Sequence, residues 1–330
     1  MQLMINPPCG GVFFLREAIA KHLKEFRGMA VLPEQIIVGA GTEYLYGLLI
    51  QLLGNEKIYA VENPGYRKIG KIYQSYKVLC KYIDMDEEGV EISKLEENQV
   101  DIAHISPSHH YPTGIVMPVS RRYELLGWAA KSENRYIIED DYDSELRLSG
   151  QPIPTLQSMD VSDKVIYMNT FTKTLASTVR ISYMILPREL FQQYYKKLSF
   201  YSCTVSNFEQ YTLAKFIEEG YFEKHINRLR NYYHNKRNTI VETIKKSRLN
   251  QYVSISGEEA GAHFLMKIET KKPQEQLMEN AKAQGIKLSP LSAYYKKNRE
   301  EIQNTYVMNY SSIELEKIEM VVTRLAKCCE

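Results

Sequence analysis

The sequence predicts an α/β protein, with a mostly parallel central sheet covered by helices and a smaller C-terminal α+β domain. Three observations carry this. From about residue 35 to residue 186, short β-rich apolar runs alternate with helix-length segments, the pattern of βαβ units. From 208 to 246 the texture turns helical, broken only near Gly220, and a helix that long bridges two domains. Beyond it there remain strand candidates at 262–268 and 305–309 and helices at 273–284 and 314–328, enough for a second small domain.

Taken in order, Leu15, Ala18, Ile19, Leu23 and Phe26 recur at i, i+3, i+4 spacing and predict an amphipathic helix ending near Gly28. The predicted strands are IIVG (36–39), IYAV (58–61), KVLCKYI (77–83), DIAHIS (101–106), RYIIE (135–139), KVIYM (164–168) and ISYMIL (181–186). The division that follows is an N-terminal arm and helix over 1–30, a large α/β domain over 31–220 and a small C-terminal domain over 221–330.

Composition excludes several classes. The 330 residues hold 42 Lys and Arg against 40 Asp and Glu, a net charge of +2, with 44% hydrophobic and 25% charged residues. This is soluble globular composition, with no global electrostatic pull toward nucleic acid. No apolar run approaches the ~18 residues of a membrane span, and the N-terminus lacks the basic and apolar regions of a signal peptide, so the expected compartment is the cytosol. Five scattered cysteines without a C-x-x-C pair suit reduced thiols, not a zinc or disulfide framework.

Four motifs carry chemistry, each at a predicted strand end. Gly39-Ala40-Gly41-Thr42 opens a helix, so its amides and the helix dipole form a phosphate cradle, or simply a glycine turn. Glu139-Asp140-Asp141-Tyr142-Asp143 brings acids to where open α/β sheets place ligands. These acids are metal ligands, acid/base groups, partners for a cationic ligand or a solvated loop; the offsets of an EF-hand are absent. Lys173 lies among hydroxyls in Asn169-Thr170-Phe171-Thr172-Lys173-Thr174, with Arg180 seven residues on. That is either surface charge or the setting of a Schiff-base lysine. Ser106 to Gly114 (SPSHHYPTG) reads as a turn and pocket wall, since its adjacent histidines lack zinc-site spacing.

Together these motifs resemble the fold-type I, pyridoxal-phosphate-dependent aminotransferases of class I/II, and most closely in wording the aminotransferase-like domain of MocR-type regulators of the GntR superfamily. The resemblance rests on LREAIAKHLKEFRG (15–28), PEQIIVGAGTEYL (33–45), VENPGY (61–66), SPSHHYPTG (106–114), IIEDDYDSELR (137–147), NTFTKTL (169–175) and AGAHFL (260–265). It implies pyridoxal 5′-phosphate as cofactor, with Lys173 forming the aldimine and shuttling a proton. Asp140 would then pair with the pyridine nitrogen and Tyr142 with the phenolic oxygen. Thr170, Thr172 and Arg180, with the amides of Ala40, Gly41 and Thr42, would hold the phosphate, and Tyr66 would stack on the ring.

Three positions depart from the family pattern. Tyr111 replaces the asparagine of Asn-Pro-Thr-Gly, Asn6 stands where a tyrosine reaches the partner subunit, and Tyr306 to Tyr310 contain no arginine for a substrate carboxylate. Arg67, Lys68 and Lys287 are the candidate substitutes. The resemblance further implies a homodimer and an amino-acid or amine ligand, with DNA contacted only through a winged-helix domain that these residues do not include. The leading expectation is therefore the effector-sensing part of a regulator. The rivals are a free-standing aminotransferase and, without the cofactor, a hydrolase with a divalent metal on the acidic cluster.

Overall fold

A computed structural model of the chain describes residues 2–148, 153–257, 261–297 and 302–330. Residue 260, the first of the AGAHFL match, lies outside the described residues. Eight strands form the large sheet: β1 (Ile36–Gly39), β2 (Ile58–Asn63), β3 (Leu79–Asp86), β4 (Gly89–Val90), β5 (Ile102–Ile105), β6 (Tyr136–Asp140), β7 (Val165–Thr170) and β8 (Ser182–Ile185). Their spatial order is β1-β8-β7-β6-β5-β2-β3-β4. The central strands β3, β2, β5, β6 and β7 run parallel, while β8 is antiparallel to both its neighbours and β4 folds back on β3. Three further strands, β9 (Val253–Ser256), β10 (His263–Ile268) and β11 (Thr305–Asn309), make a small antiparallel sheet with β10 in the middle.

The helices are α1 (Phe13–Arg27), α2 (Thr42–Leu53), α3 (Arg67–Ser75), α4 (Ile92–Glu97), α5 (Val119–Ala130), α6 (Leu156–Met159), α7 (Arg188–Leu198), α8 (Asn207–Glu218), α9 (Tyr221–Lys246), α10 (Gln274–Ala283) and α11 (Ile318–Cys329). Every residue of β1, β5, β6, β7 and β8 is buried, as a sheet covered on both faces requires. On one face Leu45, Leu48 and Leu49 of α2 pack with Tyr73 of α3 and Tyr194 and Leu198 of α7. The opposite face is covered by Leu125 and Trp128 of α5 and Leu156 of α6, and farther along by α1, α8 and the start of α9. The small sheet has its own core, with Phe264, Met266 and Tyr306 against Leu277 of α10 and Val322 and Leu325 of α11.

The long helical stretch is indeed broken at Gly220, which takes a left-handed conformation (φ 71°) between α8 and α9. Helix α9 then joins the two cores: Phe222 and Ile226 belong to the one beneath α1, Ile240 and Ile244 to that of the small sheet. The third predicted strand begins two residues late, at Leu79, because Lys77 has a positive φ of 58° and still belongs to the turn after α3. The last predicted helix starts as a 3-10 turn at Leu315–Lys317 and becomes α11 at Ile318. Strand β9 escaped the sequence reading because its four residues alternate half-buried and exposed, with serines outward. No helix of the described residues is long and apolar enough to cross a membrane.

Candidate functional site

A cavity of about 330 Å³ opens at the carboxyl ends of the parallel strands. This is where open α/β sheets bind ligands. Strand β6 runs out into it at Asp140, β7 at Thr170, β2 at Glu62 and β5 at Ser106, while Thr42 and Glu43 enter from the first turn of α2 and Asn309 from the end of β11.

Asp140 lies at the buried end. Its Oδ2 accepts a hydrogen bond from Tyr46 Oη at 2.6 Å and lies 3.5 Å from His104 Nε2. His104 Nδ1 is in turn 2.6 Å from Tyr73 Oη. With Tyr73 donating to Nδ1, the ring proton sits on Nε2 and faces the carboxylate. Burial, and then the Asp140 charge, push the Tyr46 phenol well above its ordinary value, so it stays a donor. Asp140 Oδ1, by contrast, is buried with no hydrogen-bond partner among the described residues. A buried carboxylate oxygen left unpaired is costly, and it suits an N–H donor arriving in the cavity.

Beside it Glu62 is buried. Its Oε2 accepts the Ser106 amide at 2.9 Å and lies 3.5 Å from His110 Nε2. Burial pushes its carboxyl up to about 8, against the opposing pull of the Ser106 amide. Tyr142 lines the cavity with its hydroxyl 3.5 Å from His109 Nδ1, which is also 2.8 Å from Asp143 Oδ2. Across the mouth, Tyr66 is 52% exposed and stands edge-on to Tyr111, the rings 6.1 Å apart. Tyr111 Oη, in the place of the expected asparagine, meets Tyr294 Oη at 2.9 Å.

Lys173 lies on the turn after β7, exposed on the cavity wall, with no hydrogen bond or ion pair among the described residues. The hydroxyls next to it are engaged locally: Thr170 Oγ1 accepts from Ser182 Oγ at 2.8 Å, and Thr172 Oγ1 donates to Val179 O at 2.9 Å. Arg180 lies against the turn that opens α2, so close that a Cβ on Gly41 would sit 2.5 Å from its Nη2. Gly41 also has φ 92°, which favours glycine there on both counts.

Of the residues singled out from sequence, Thr42, Tyr66, Asp140, Tyr142, Thr170, Thr172, Lys173 and Arg180 share this one cavity. Ala40 and Gly41 do not line it. The Ala40 amide donates to Thr204 Oγ1 at 2.8 Å and that of Gly41 to Gly39 O at 2.9 Å, so both donors are engaged within the protein. Among the three substitute cations, Lys68 lines the cavity, Arg67 donates to Tyr295 O at 3.2 Å, and Lys287 is exposed elsewhere. Val307 on β11 is buried and only Asn309 of that strand reaches the cavity, while Asn6 is exposed away from it. Sequence reasoning missed Glu43, Tyr46, Glu62 and His104. Tyr46 had a usable signal, one helical turn after Thr42, and Glu62 lay within the VENPGY match.

The residues fit pyridoxal phosphate: an orphaned carboxylate oxygen for the ring nitrogen, an unpaired amine, an arginine beside a helix N-terminus and an aromatic wall. Among the described residues no group of three or more His, Cys, Asp or Glu is arranged to hold a metal ion.

Residues 2–322 match the family model for aminotransferase class I and II. The uncharacterized HTH-type transcriptional regulator YdeL of Bacillus subtilis is 41% identical over 285 residues, 86% of this chain and 61% of that protein. The probable rhizopine catabolism regulatory protein MocR of Rhizobium meliloti is 32% identical over 282 residues, 85% of this chain and 57% of that protein. The chain thus spans about three fifths of the length of these relatives. Among solved structures, the kynurenine aminotransferase of Pyrococcus horikoshii superposes with a TM-score of 0.83 at 26% identity, over 99% of this chain and 82% of that one. Its fold is that of the pyridoxal-phosphate aminotransferases of fold type I. The chain therefore belongs to the aminotransferase class I and II family, and that membership implies pyridoxal 5′-phosphate as its cofactor.

Proposed function

We propose that this chain is the effector-sensing part of a MocR-type transcriptional regulator, holding pyridoxal phosphate through Lys173 and reading an amino acid or amine. The observation that carries the cofactor half is the pairing, across one cavity, of the unpartnered Asp140 oxygen with the unpaired Lys173 amine. The regulatory half is supported by the names of relatives that extend well beyond the matched region, and by the stretch from Tyr306 to Tyr310, which contains no arginine for a substrate carboxylate.

Bound there, the cofactor supplies an electron-withdrawing ring next to the carbon that bears the ligand's amine. Asp140 keeps the ring nitrogen protonated, and Tyr46 and His104 hold the carboxylate in place. Lys173 would hold the cofactor through its amine, and its Nζ, when free, would be placed to accept or return a proton at the carbon that bears the ligand's amine. Tyr142 donates toward the ring's phenolic oxygen, Tyr66 covers a ring face, and Arg180, Thr170, Thr172 and Thr42 hold the phosphate. Asn309 and Tyr111 bring the small-sheet side and the large-sheet side to the same ligand, so occupancy can shift how the two parts pack.

In this reading the chain acts in the cytosol as a homodimer, and DNA contact belongs to a winged-helix segment outside these residues. The domain division remains the sequence-based one, with a single refinement: α9 carries the change of core within its own length. The second reading, a free-standing aminotransferase, is favoured by the likeness to the Pyrococcus enzyme. One experiment separates them. The protein and Lys173→Ala are mixed with pyridoxal phosphate, absorbance is recorded, and a panel of amino acids is added with keto-acid detection. A visible band that needs Lys173 and shifts with ligand, without turnover, is the expected result. Keto-acid production would move the assignment to the enzyme, and no Lys173-dependent band would overturn both.

A further inference from the structure

Glu43 is a carboxylate at the phosphate end of the cavity. It occupies the second residue of α2, a helix of twelve residues, where negative charge is favoured by the helix dipole. Its Oε1 accepts from Lys68 Nζ and lies 3.6 Å from Arg180 Nη2. Arg180 is the arginine assigned above to the phosphate, and among the described residues no other ion pair involves it. Glu43 therefore stands where an incoming phosphate would be stabilised: at the same helix terminus, against the same guanidinium. The side chains of Glu43, Lys68 and Arg180 are 45–48% exposed, so their pairing is screened and weak enough to be exchanged.

We propose that Glu43 is a built-in competitor for the phosphate end of the cofactor: it shares Arg180 with the phosphate and must give it up for the phosphate to bind, so the cofactor is held exchangeably. Lys68 is the second half of the device. When Arg180 turns to a phosphate, Glu43 keeps a cation in Lys68; without Lys68 the cation left to it among the described residues is Arg180. Phosphate affinity is then set by how readily Glu43 moves from a shared pair to Lys68 alone, and occupancy can follow cofactor concentration. The inference rests on the pyridoxal-phosphate site proposed above and adds to it the residue that sets affinity.

The test compares wild type with Glu43→Gln, titrating each with pyridoxal phosphate and with pyridoxal, which lacks the phosphate, and following the visible band. Glu43→Gln is expected to tighten pyridoxal phosphate about fivefold, ~1 kcal/mol, and to leave pyridoxal unchanged. The gap narrows as salt is raised. Lys68→Ala weakens pyridoxal phosphate a few-fold in the wild-type background and much less beside Glu43→Gln, the coupling expected of neighbours that act together. Equal affinities for pyridoxal phosphate in wild type and Glu43→Gln, or a parallel change with pyridoxal, overturn the inference while leaving the cofactor site standing. If neither protein forms a band with either compound, the cofactor site itself falls, and this inference with it.

Discussion

The two ends of the cavity solve the same problem, placing charge beside a ligand, in opposite ways. At the buried end Asp140 is fixed by Tyr46 at 2.6 Å and backed by His104 and Tyr73, all enclosed by the sheet and by α2 and α3. At the mouth Glu43, Lys68 and Arg180 are nearly half exposed, and both cations pair with Glu43. Low dielectric makes each contact at the buried end strong and makes an unpaired atom costly, so that end is preorganised and stiff. Water screens the mouth, where pairs are worth ~1 kcal/mol or less and can be rearranged. The stiff end is suited to tuning chemistry and the soft end to tuning occupancy.

Breaking the stiff end should have the larger effect. Asp140→Ala removes the proposed partner of the ring nitrogen and strands Tyr46 and His104. A charged hydrogen bond of ~1.5–3 kcal/mol predicts pyridoxal-phosphate affinity reduced by about tenfold to a hundredfold, measured by titration of the visible band.

Next comes Glu62, whose folded-state carboxyl lies near 8 against an ordinary 4.5. Because the folded state holds this proton more tightly, the contribution is present in full below about 4.5 and is lost as pH rises through about 8. Over that window the slope is at most ~1.4 kcal/mol per pH unit. Glu62→Gln keeps an acceptor for the Ser106 amide and should flatten the loss, seen as a smaller drop in denaturation midpoint between pH 5 and pH 8. An unchanged pH profile would place Glu62 in water.

The smallest effect belongs to the mouth. Lys68→Ala should alter folding stability by less than ~0.5 kcal/mol, since its pair with Glu43 is exposed, while still changing phosphate affinity as described above. A large loss of stability would erase the contrast between the two ends.

Much of the site was legible because strand-end motifs are local. Asp140 follows an apolar run that had to be a buried strand, Lys173 and Arg180 follow the next one, and an α/β sheet necessarily brings the carboxyl ends of its parallel strands to one edge. The amides of Ala40 and Gly41 illustrate the limit. Their sequence matches a phosphate cradle, but Thr204, more than 160 residues away in the chain, takes the Ala40 donor. Nothing in a glycine turn announces such a partner. His104 was hidden for a related reason, since a histidine inside an apolar strand reads as core until Tyr73 and Asp140 are seen on either side of it.

The sequence by itself determined the alternation of strands and helices, the break at Gly220, and the residues presented at each strand end, because periodicity and turn chemistry act over a few neighbouring residues. Tertiary structure alone decided which carboxylates are buried, which hydroxyls and amides are already engaged, and that Glu43 faces Arg180 and Lys68. Those are contacts between segments distant in sequence, set by packing and solvent exclusion, and no local pattern encodes them.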